Sequence, residues 1–281
     1  MYQTNVERMA QMAEKKIEYQ QHSPLSYLVL SMLAGVYLGF GITLIFSVGA
    51  PFAAENSAAM KLVMGASFGI ALTLVIFAGA ELFTGNNMVC TIGGLCKRIT
   101  WTQIGVIFFW SFMGNMIGSL AIAWLVAQSG VLAKSPQVDL LMNVASMKMS
   151  LSGWELFIRG ILCNWLVCLA IWTAARTTND VAKILVIFWC LFAFVGSGFE
   201  HSIANQSILG MSLFLPHGSE ISLLGFVWNQ VFVGLGNIVG GAVCVGGTYW
   251  LTSRIRLTAD PSLMMNTASL PTRFESEGVR G

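Results

Sequence analysis

Apolar residues dominate six long stretches of the chain, and the polar and charged residues gather between them. An α-helix needs about 20 residues to cross a bilayer, and each stretch is long enough. The second and fifth stretches each contain a polar interruption. The six stretches cover residues 27–48, 62–95, 102–128, 155–175, 182–214 and 221–252. This pattern predicts an all-α integral membrane protein with six transmembrane helices.

Composition agrees with this interpretation and excludes other classes of protein. The 281 residues are 56% hydrophobic and 10% charged, whereas soluble domains carry about 25% charged residues. A formal net charge of +2 without a basic run argues against nucleic acid as a partner. The long unbroken apolar stretches also differ from the short alternating segments of a β-barrel. We therefore expect the lipid bilayer to surround this protein.

The two ends of the chain differ from its centre. Residues 1–22 are polar and lack the apolar segment of a cleavable signal. Four apolar residues of this leader recur at helical spacing, namely Val6, Met9, Ala13 and Ile17. Two interpretations stay open, an amphipathic helix on the membrane surface or a partly ordered polar segment. We predict one membrane domain over residues 23–256 and a disordered tail over residues 257–281.

Basic residues predict which side of the membrane each loop faces. If the N-terminus is cytoplasmic, 11 of the 15 Lys and Arg residues lie on the cytoplasmic side. The opposite side then receives Lys61, Lys134 and Lys148, with Arg159 just inside the fourth span. This asymmetry follows the positive-inside rule. We expect a multi-pass protein of the bacterial inner membrane with both ends in the cytoplasm.

An internal repeat relates two halves, at about 23–130 and 150–256. The motif GNxxG begins at Gly114 in the third span and at Gly236 in the sixth, an offset of 122 residues. The pattern GxExxxxN begins at Gly79 in the second span and at Gly198 in the fifth, an offset of 119 residues. One GNxxG copy alone could serve only helix packing. Because each half has three spans, the second half must be inverted, and inverted repeats with interrupted helices are typical of transporters and channels.

The interruptions carry the candidate chemistry. We predict that both helices break there and that five residues hold the breaks, namely Glu81, Asn115, Gly198, Asn205 and Asn237. A charge in the bilayer centre costs at least ~2.5–3.5 kcal/mol. We expect the Glu81 and Glu200 carboxylates to accept the backbone N–H groups that the breaks set free, with a proton-carrying role as the alternative. His201 can attract an anion as imidazolium or lend it a proton, because an unperturbed imidazole titrates near neutral pH; it could also be a packing residue.

At these residues the chain resembles the formate/nitrite transporter family, over residues 24–252. The resemblance rests on ELFTG at 81–85, CNWLVCLAIW at 163–172 and SGFEHSIAN at 197–205. Together with MGASFGIALTLVI at 64–76, it is greater for the nitrite channel branch than for the formate branch. The resemblance implies an aquaporin-like protomer with its own pore, assembled into a homopentamer.

The resemblance also implies roles for individual residues. His201 matches the central histidine, beside Glu200, and Thr84 matches its threonine partner. Asn164 and Lys148 match polar residues that attract the anion from the periplasmic side. The hydrophobic constrictions around the histidine match Phe68, Leu72, Phe83, Val167 and Phe194. The implied function is a nitrite channel or proton-linked nitrite transporter, and formate or hydrosulfide could share the pore.

Two other classes of function are weighed against this one. An aquaporin-like channel for neutral solutes would carry a pair of Asn-Pro-Ala motifs, and the chain has Gly-Asn pairs instead. An intramembrane metalloenzyme would need HExxH or a third ligand, which three scattered histidines and six cysteines without CxxC do not supply. We therefore predict no enzyme activity, no metal site and no cofactor.

Overall fold

The computed structural model describes residues 2–254, and the predicted tail at 257–281 lies outside this range. Within it the chain forms twelve α-helices and two π-helical segments. The helices are α1 (Gln3–His22), α2 (Pro24–Ala54), α3 (Met60–Ser67), α4 (Gly69–Leu74), α5 (Phe83–Leu95), α6 (Trp101–Ser129), α7 (Gln137–Ser150), α8 (Gly153–Ala174), α9 (Asp180–Ser197), α10 (Ser202–Phe214), α11 (Leu223–Val239) and α12 (Thr248–Arg254). The π-helical segments are Val75–Gly79 and Gly240–Gly247.

Six segments of residues 2–254 are long and apolar enough to cross a membrane, which confirms the predicted number of spans. They are Pro24–Ala54, Met60–Gly79, Trp101–Ser129, Gly153–Ala174, Asp180–Ser197 and Leu223–Ser253. The second and fifth predicted stretches each continue beyond their span into a separate helix, α5 and α10. Because nearly every residue of these two short helices is buried, they belong to the interior of the molecule and not to its lipid-facing surface.

Local sequence explains where several spans begin and end. Thr100 and Gln103 form a capping box at the start of α6, and Ser152 and Glu155 form another at the start of α8. Each box satisfies backbone N–H groups that the first helical turn leaves without partners. Helix α6 ends at Gly130, whose φ of 74° is a left-handed conformation that glycine adopts without strain.

Helix α1 is packed on the protein. Its apolar side is buried in the chain itself, through Val6, Met9, Ala10, Ala13 and Ile17. It lies against α5, where Ala13 contacts Gly93. The segment is a regular helix with one apolar face, so the alternative of a partly ordered segment is wrong, and the apolar face of the helix covers α5.

Two close helix crossings place the GNxxG motifs. Helix α2 crosses α6, and a Cβ at Gly118 would overlap the carbonyl of Met32. Helix α8 crosses α11 in the same manner, and a Cβ at Gly236 would overlap the carbonyl of Phe157. Only glycine permits backbones to approach so closely. Both crossings bring the motif asparagine, Asn115 or Asn237, to the breaks.

Candidate functional site

The backbone leaves the helical conformation at two places, residues 80–82 and residues 199–201. Gly79 with a φ of 80° begins the first break, and Gly198 with a φ of 76° begins the second. The backbone N–H of Glu81 donates to the Leu30 carbonyl of α2 at 3.2 Å. The backbone N–H of Glu200 donates to the Arg159 carbonyl of α8, also at 3.2 Å. Each break is therefore held against the first long helix of its own half.

Two buried asparagines bind further backbone groups at the breaks. Asn115 Oδ1 accepts the backbone N–H of Phe83 at 2.9 Å, and its Nδ2 donates to the carbonyls of Ser31 and Glu81 at 2.7 and 2.8 Å. Asn237 repeats this set: Oδ1 accepts from Ser202 at 2.8 Å, and Nδ2 donates to the carbonyls of Gly160 and Glu200 at 2.8 and 3.0 Å. Neither asparagine has exposed surface.

The expectation that the two glutamate carboxylates accept the freed backbone N–H groups was wrong. Both oxygens of Glu200 lie 2.8 Å from Lys148 Nζ, and Oε2 accepts from Asn205 Nδ2 at 2.6 Å. Both oxygens of Glu81 lie 2.6 Å from Lys16 Nζ. Helix carbonyls accept the N–H groups of Glu81 and Glu200, asparagine amides accept those of Phe83 and Ser202, and the carboxylates pair with lysines.

Lys16 is the residue that sequence reasoning missed. It lies on α1, 65 positions before its partner, and Tyr27 Oη and Asn86 Nδ2 also donate to the Glu81 carboxylate, at 3.1 and 3.3 Å. The internal repeat in the sequence could have pointed to a partner for Glu81. Since Glu81 and Glu200 occupy equivalent positions, a lysine opposite one carboxylate implies a cation opposite the other.

Lys148 and Asn164 are not free polar groups that face an approaching anion. Lys148 lies in α7 with 11% of its side chain exposed, and Glu200 compensates its charge. Asn164 is fully buried, and its Nδ2 donates to the carbonyls of Thr84 and Asn237 at 3.1 and 2.6 Å. The role that the resemblance implied for Asn164 is therefore corrected, because its amide connects the two halves inside the protein.

His201 and Thr84 meet where the two halves face each other. The imidazole Nε2 lies 3.0 Å from Thr84 Oγ1, and Nδ1 accepts the backbone N–H of Ala204 at 3.1 Å as the N-cap of α10. Because Nδ1 accepts a hydrogen bond, the tautomer that fits is the neutral ring with its proton on Nε2. The ring of Phe194 stacks on the imidazole at 6.0 Å between centroids.

A narrow neck lies on one side of His201. Its cavity measures about 10 Å³, roughly the minimum for one water molecule. Four of the five predicted constriction residues line it, namely Phe68, Leu72, Val167 and Phe194.

Phe83 does not line the neck, which corrects that assignment. Its ring packs against Phe108 and Phe112 of α6, at 5.8 and 5.1 Å between centroids. Leu82 lines the neck instead. Leu82 is the extended residue before α5 and Phe83 is the first helical residue, so one side chain faces the neck and the other faces α6.

Two wide vestibules flank the neck. The vestibule on the α1 side measures about 650 Å³, and the vestibule on the α7 side measures about 640 Å³. Three basic side chains and one glutamate line each of them: Arg8, Lys16, Lys183 and Glu81 on the α1 side, and Lys61, Lys148, Arg159 and Glu200 on the α7 side. His201 lines both the neck and the α7-side vestibule. Each vestibule therefore has an excess of positive charge.

The chemistry available at the site is that of proton donors, hydrogen bonds and charge. Within residues 2–254, no group of three or more His, Cys, Asp and Glu side chains could hold a metal ion. Among the titratable groups, His201 lines the neck, and Glu200 and Lys148 line the vestibule that His201 also lines. Such an arrangement can attract an anion, replace part of its hydration shell and exchange a proton with it.

Comparison with known proteins gives consistent matches over most of the chain. The family described as formate/nitrite transporter matches residues 3–251. The nitrite transporter NirC of Escherichia coli (strain K12) is 41% identical over 250 residues, which are 89% of this chain and 92% of that protein. A solved structure of an FNT family ion channel is 40% identical, with a TM-score of 0.85 over 89% of this chain and 98% of that one. A pentameric formate channel with formate bound is 27% identical, with a TM-score of 0.69 over 83% of this chain and 98% of that one.

Proposed function

Given that the chain belongs to the formate/nitrite transporter family, we propose that it conducts nitrite across the membrane, as a channel or as a proton-linked transporter. The chain is also a multi-pass membrane protein with six apolar helices. The nitrite transporter NirC, which is 41% identical, supports nitrite as the substrate.

One observation carries this proposal: two basic vestibules are separated by an apolar neck of about 10 Å³ with His201 at its end. The vestibules concentrate anions, since clefts with one sign of charge raise the local concentration of the opposite ion. The neck excludes a hydrated ion, because stripping water from a charge in a medium of low dielectric constant costs many kcal/mol. A neutral acid would pass the same neck at a much smaller cost.

His201 is the group that would change the charge of the anion. In the resting state its neutral ring donates Nε2–H to Thr84. A proton taken up from vestibule water at Nδ1, in place of the hydrogen bond from the Ala204 N–H, makes the imidazolium. Transfer of one ring proton to nitrite then leaves neutral nitrous acid and a neutral ring. Nitrite flux should therefore rise as the pH falls. The charged groups that share the vestibule with the ring are Lys61, Lys148, Arg159 and Glu200.

We further propose that the two halves are inverted copies and that the interrupted helices are their shared feature. The matching hydrogen bonds of Asn115 and Asn237 support this relation. So do the matching pairs Lys16–Glu81 and Lys148–Glu200. In this arrangement each half contributes one wall of the neck.

The assembly and location follow from the same premise. We propose a homopentamer with one pore in each protomer, supported by the similar pentameric formate channel. The basic residues support a bacterial inner membrane location with both ends, and the α1-side vestibule, in the cytoplasm. Light scattering of the detergent-solubilised full chain tests the pentamer, and labelling of single introduced cysteines in intact cells tests the orientation.

Flux measurements in proteoliposomes test the function itself. The full chain is reconstituted, and the uptake of nitrite is followed at neutral and mildly acidic pH against protein-free vesicles. We expect saturable nitrite flux that rises on acidification. Nitrite uptake equal to that of protein-free vesicles would overturn the proposal, and conductance of water or glycerol without anion flux would favour a neutral-solute channel.

Formate is the second candidate substrate. The similar pentameric channel is described with formate bound, and formate carries two coplanar oxygens and a single charge, as nitrite does. Hydrosulfide is a third anion of suitable size and charge. Concentration series with the three anions on one reconstituted sample would rank them.

A further inference from the structure

Arg159 lies beside the second break, and its side chain takes no part in holding that break. Its backbone carbonyl accepts the N–H of Glu200 at 3.2 Å, and its side chain lines the vestibule that also contains His201. In the first half the same backbone contact comes from Leu30. The guanidinium therefore adds a charged group to the α7-side vestibule at a position where the other half has an apolar side chain.

The guanidinium is also only weakly compensated, in contrast to the Lys148 ammonium of the same vestibule. Lys148 is committed to Glu200 at 2.8 Å. Arg159 Nη2 lies 3.7 Å from Glu155 Oε1, and both side chains are partly exposed, at 34% and 50%. Exposed pairs of this kind are weak. Within residues 2–254, the Arg159 guanidinium makes no hydrogen bond, so its donors are available to a ligand.

The direction of the side chain suits capture above the neck. Side chains of a helix point back toward its N-terminus, and Glu155 lies one turn nearer to the start of α8 than Arg159 does. The Arg159 side chain thus extends from the level of Glu200 toward its pairing residue Glu155. Arg159 and His201 line the same vestibule, so an anion bound by the guanidinium shares that vestibule with the imidazole.

The chemistry of the guanidinium defines what it would select. Its planar fork matches two coplanar oxygens and binds them through two parallel hydrogen bonds. Resting on the proposed function, we propose that Arg159 binds the incoming anion in this bidentate manner and gives the pore its preference for planar two-oxygen monoanions, nitrite and formate, over single-centre anions such as hydrosulfide. The partial exposure of the fork keeps the binding weak enough for release into the neck.

The test is the concentration dependence of flux in proteoliposomes of the full chain. For Arg159→Gln we expect the half-saturating nitrite concentration to rise about tenfold, since a hydrogen bond to a charged group is worth at least one decade of affinity. The maximal flux should stay within about twofold, because the neck and His201 are untouched. Arg159→Lys keeps the charge and removes the fork, so it should weaken nitrite and formate while leaving hydrosulfide unchanged.

A matched control separates the fork from simple charge. Lys61 lines the same vestibule, so Lys61→Gln removes one positive charge without touching the guanidinium. A nitrite half-saturation that shifts equally in Lys61→Gln and Arg159→Gln, or an Arg159→Lys variant that retains wild-type nitrite affinity, would overturn the role of the fork. Absence of nitrite flux from the wild-type chain would instead overturn the proposed function.

Discussion

The two breaks share one frame and differ at the residue that faces the neck. In both, a glutamate N–H is held by a long helix, an asparagine amide satisfies the neighbouring backbone, and a lysine pairs with the carboxylate. The residue after the glutamate is Leu82 in the first break and His201 in the second. Both line the neck. The two breaks thus share a scaffold, and the residue at which they differ supplies the titratable ring.

The two lysines show a second difference between the halves. Lys148 comes from α7, which lies between two spans of the chain, whereas Lys16 comes from α1, which precedes the first span. The Lys148–Glu200 side chains are 11% and 2% exposed, and the Lys16–Glu81 side chains are 16% and 14% exposed. The two Lys–Glu pairs therefore differ in burial and in the position of the lysine-bearing helix relative to the spans.

Replacing the frame asparagines should give the largest effect. Asn115→Leu or Asn237→Leu removes three hydrogen bonds to buried backbone groups, and each group left without a partner costs about 1–3 kcal/mol. We expect the free energy of unfolding to fall by roughly 3–6 kcal/mol in either variant. Denaturant unfolding in detergent, followed by circular dichroism, measures the loss. A large loss in only one variant would contradict the equivalence of the two halves.

Removing the lysines should show that the two charge pairs contribute differently to stability. Lys148→Met leaves Glu200 buried and uncompensated, for which we expect a loss of about 3–5 kcal/mol. Lys16→Met should cost less than half of this, because Glu81 keeps some contact with water and keeps Tyr27 and Asn86 as donors. The double variant Lys148→Met/Glu200→Gln serves as the control and should recover most of the stability. Equal losses in the two single variants would mean that burial does not distinguish the pairs.

Removing the titratable ring should change flux more than stability. His201→Asn preserves an acceptor for the N–H of Ala204, since asparagine is a good N-cap, whereas His201→Phe would lose it. We expect nitrite flux at mildly acidic pH to fall at least about tenfold, the size of a lost proton donor. Proteoliposome uptake across a pH series measures this. Wild-type flux with an unchanged pH profile would remove His201 from the mechanism.

The smallest expected effects concern Leu82 and Phe83, two neighbouring residues at the first break. Leu82→Ala widens the neck, and we expect nitrite flux to increase. Phe83→Leu alters only the packing against Phe108 and Phe112, with a cost below about 1.5 kcal/mol and no change in flux. The same uptake assay, with thermal unfolding as the control for stability, compares the two variants. Loss of flux control in Phe83→Leu alone would restore Phe83 as the constriction.

Much of the architecture was predictable because it depends on local composition. Apolar length alone indicated six spans, and the repeated Gly, Glu and Asn positions located both breaks. The outcome for individual side chains was less predictable. Leu82 is the extended residue before α5 and Phe83 is the first residue of that helix, and sequence does not reveal which of them faces the neck.

The sequence by itself determined the spans, the repeat and the residue types available at the breaks, since hydrophobic length and glycine positions act locally. Only the tertiary structure decided which groups pair. Lys16 pairs with Glu81, which lies 65 residues later in the chain, and the Asn164 amide donates to the carbonyls of Thr84 and Asn237 inside the protein. Buried polar groups need hydrogen-bond partners, and the packed helices determine which partners lie within reach. The order of residues along the chain does not specify these distances.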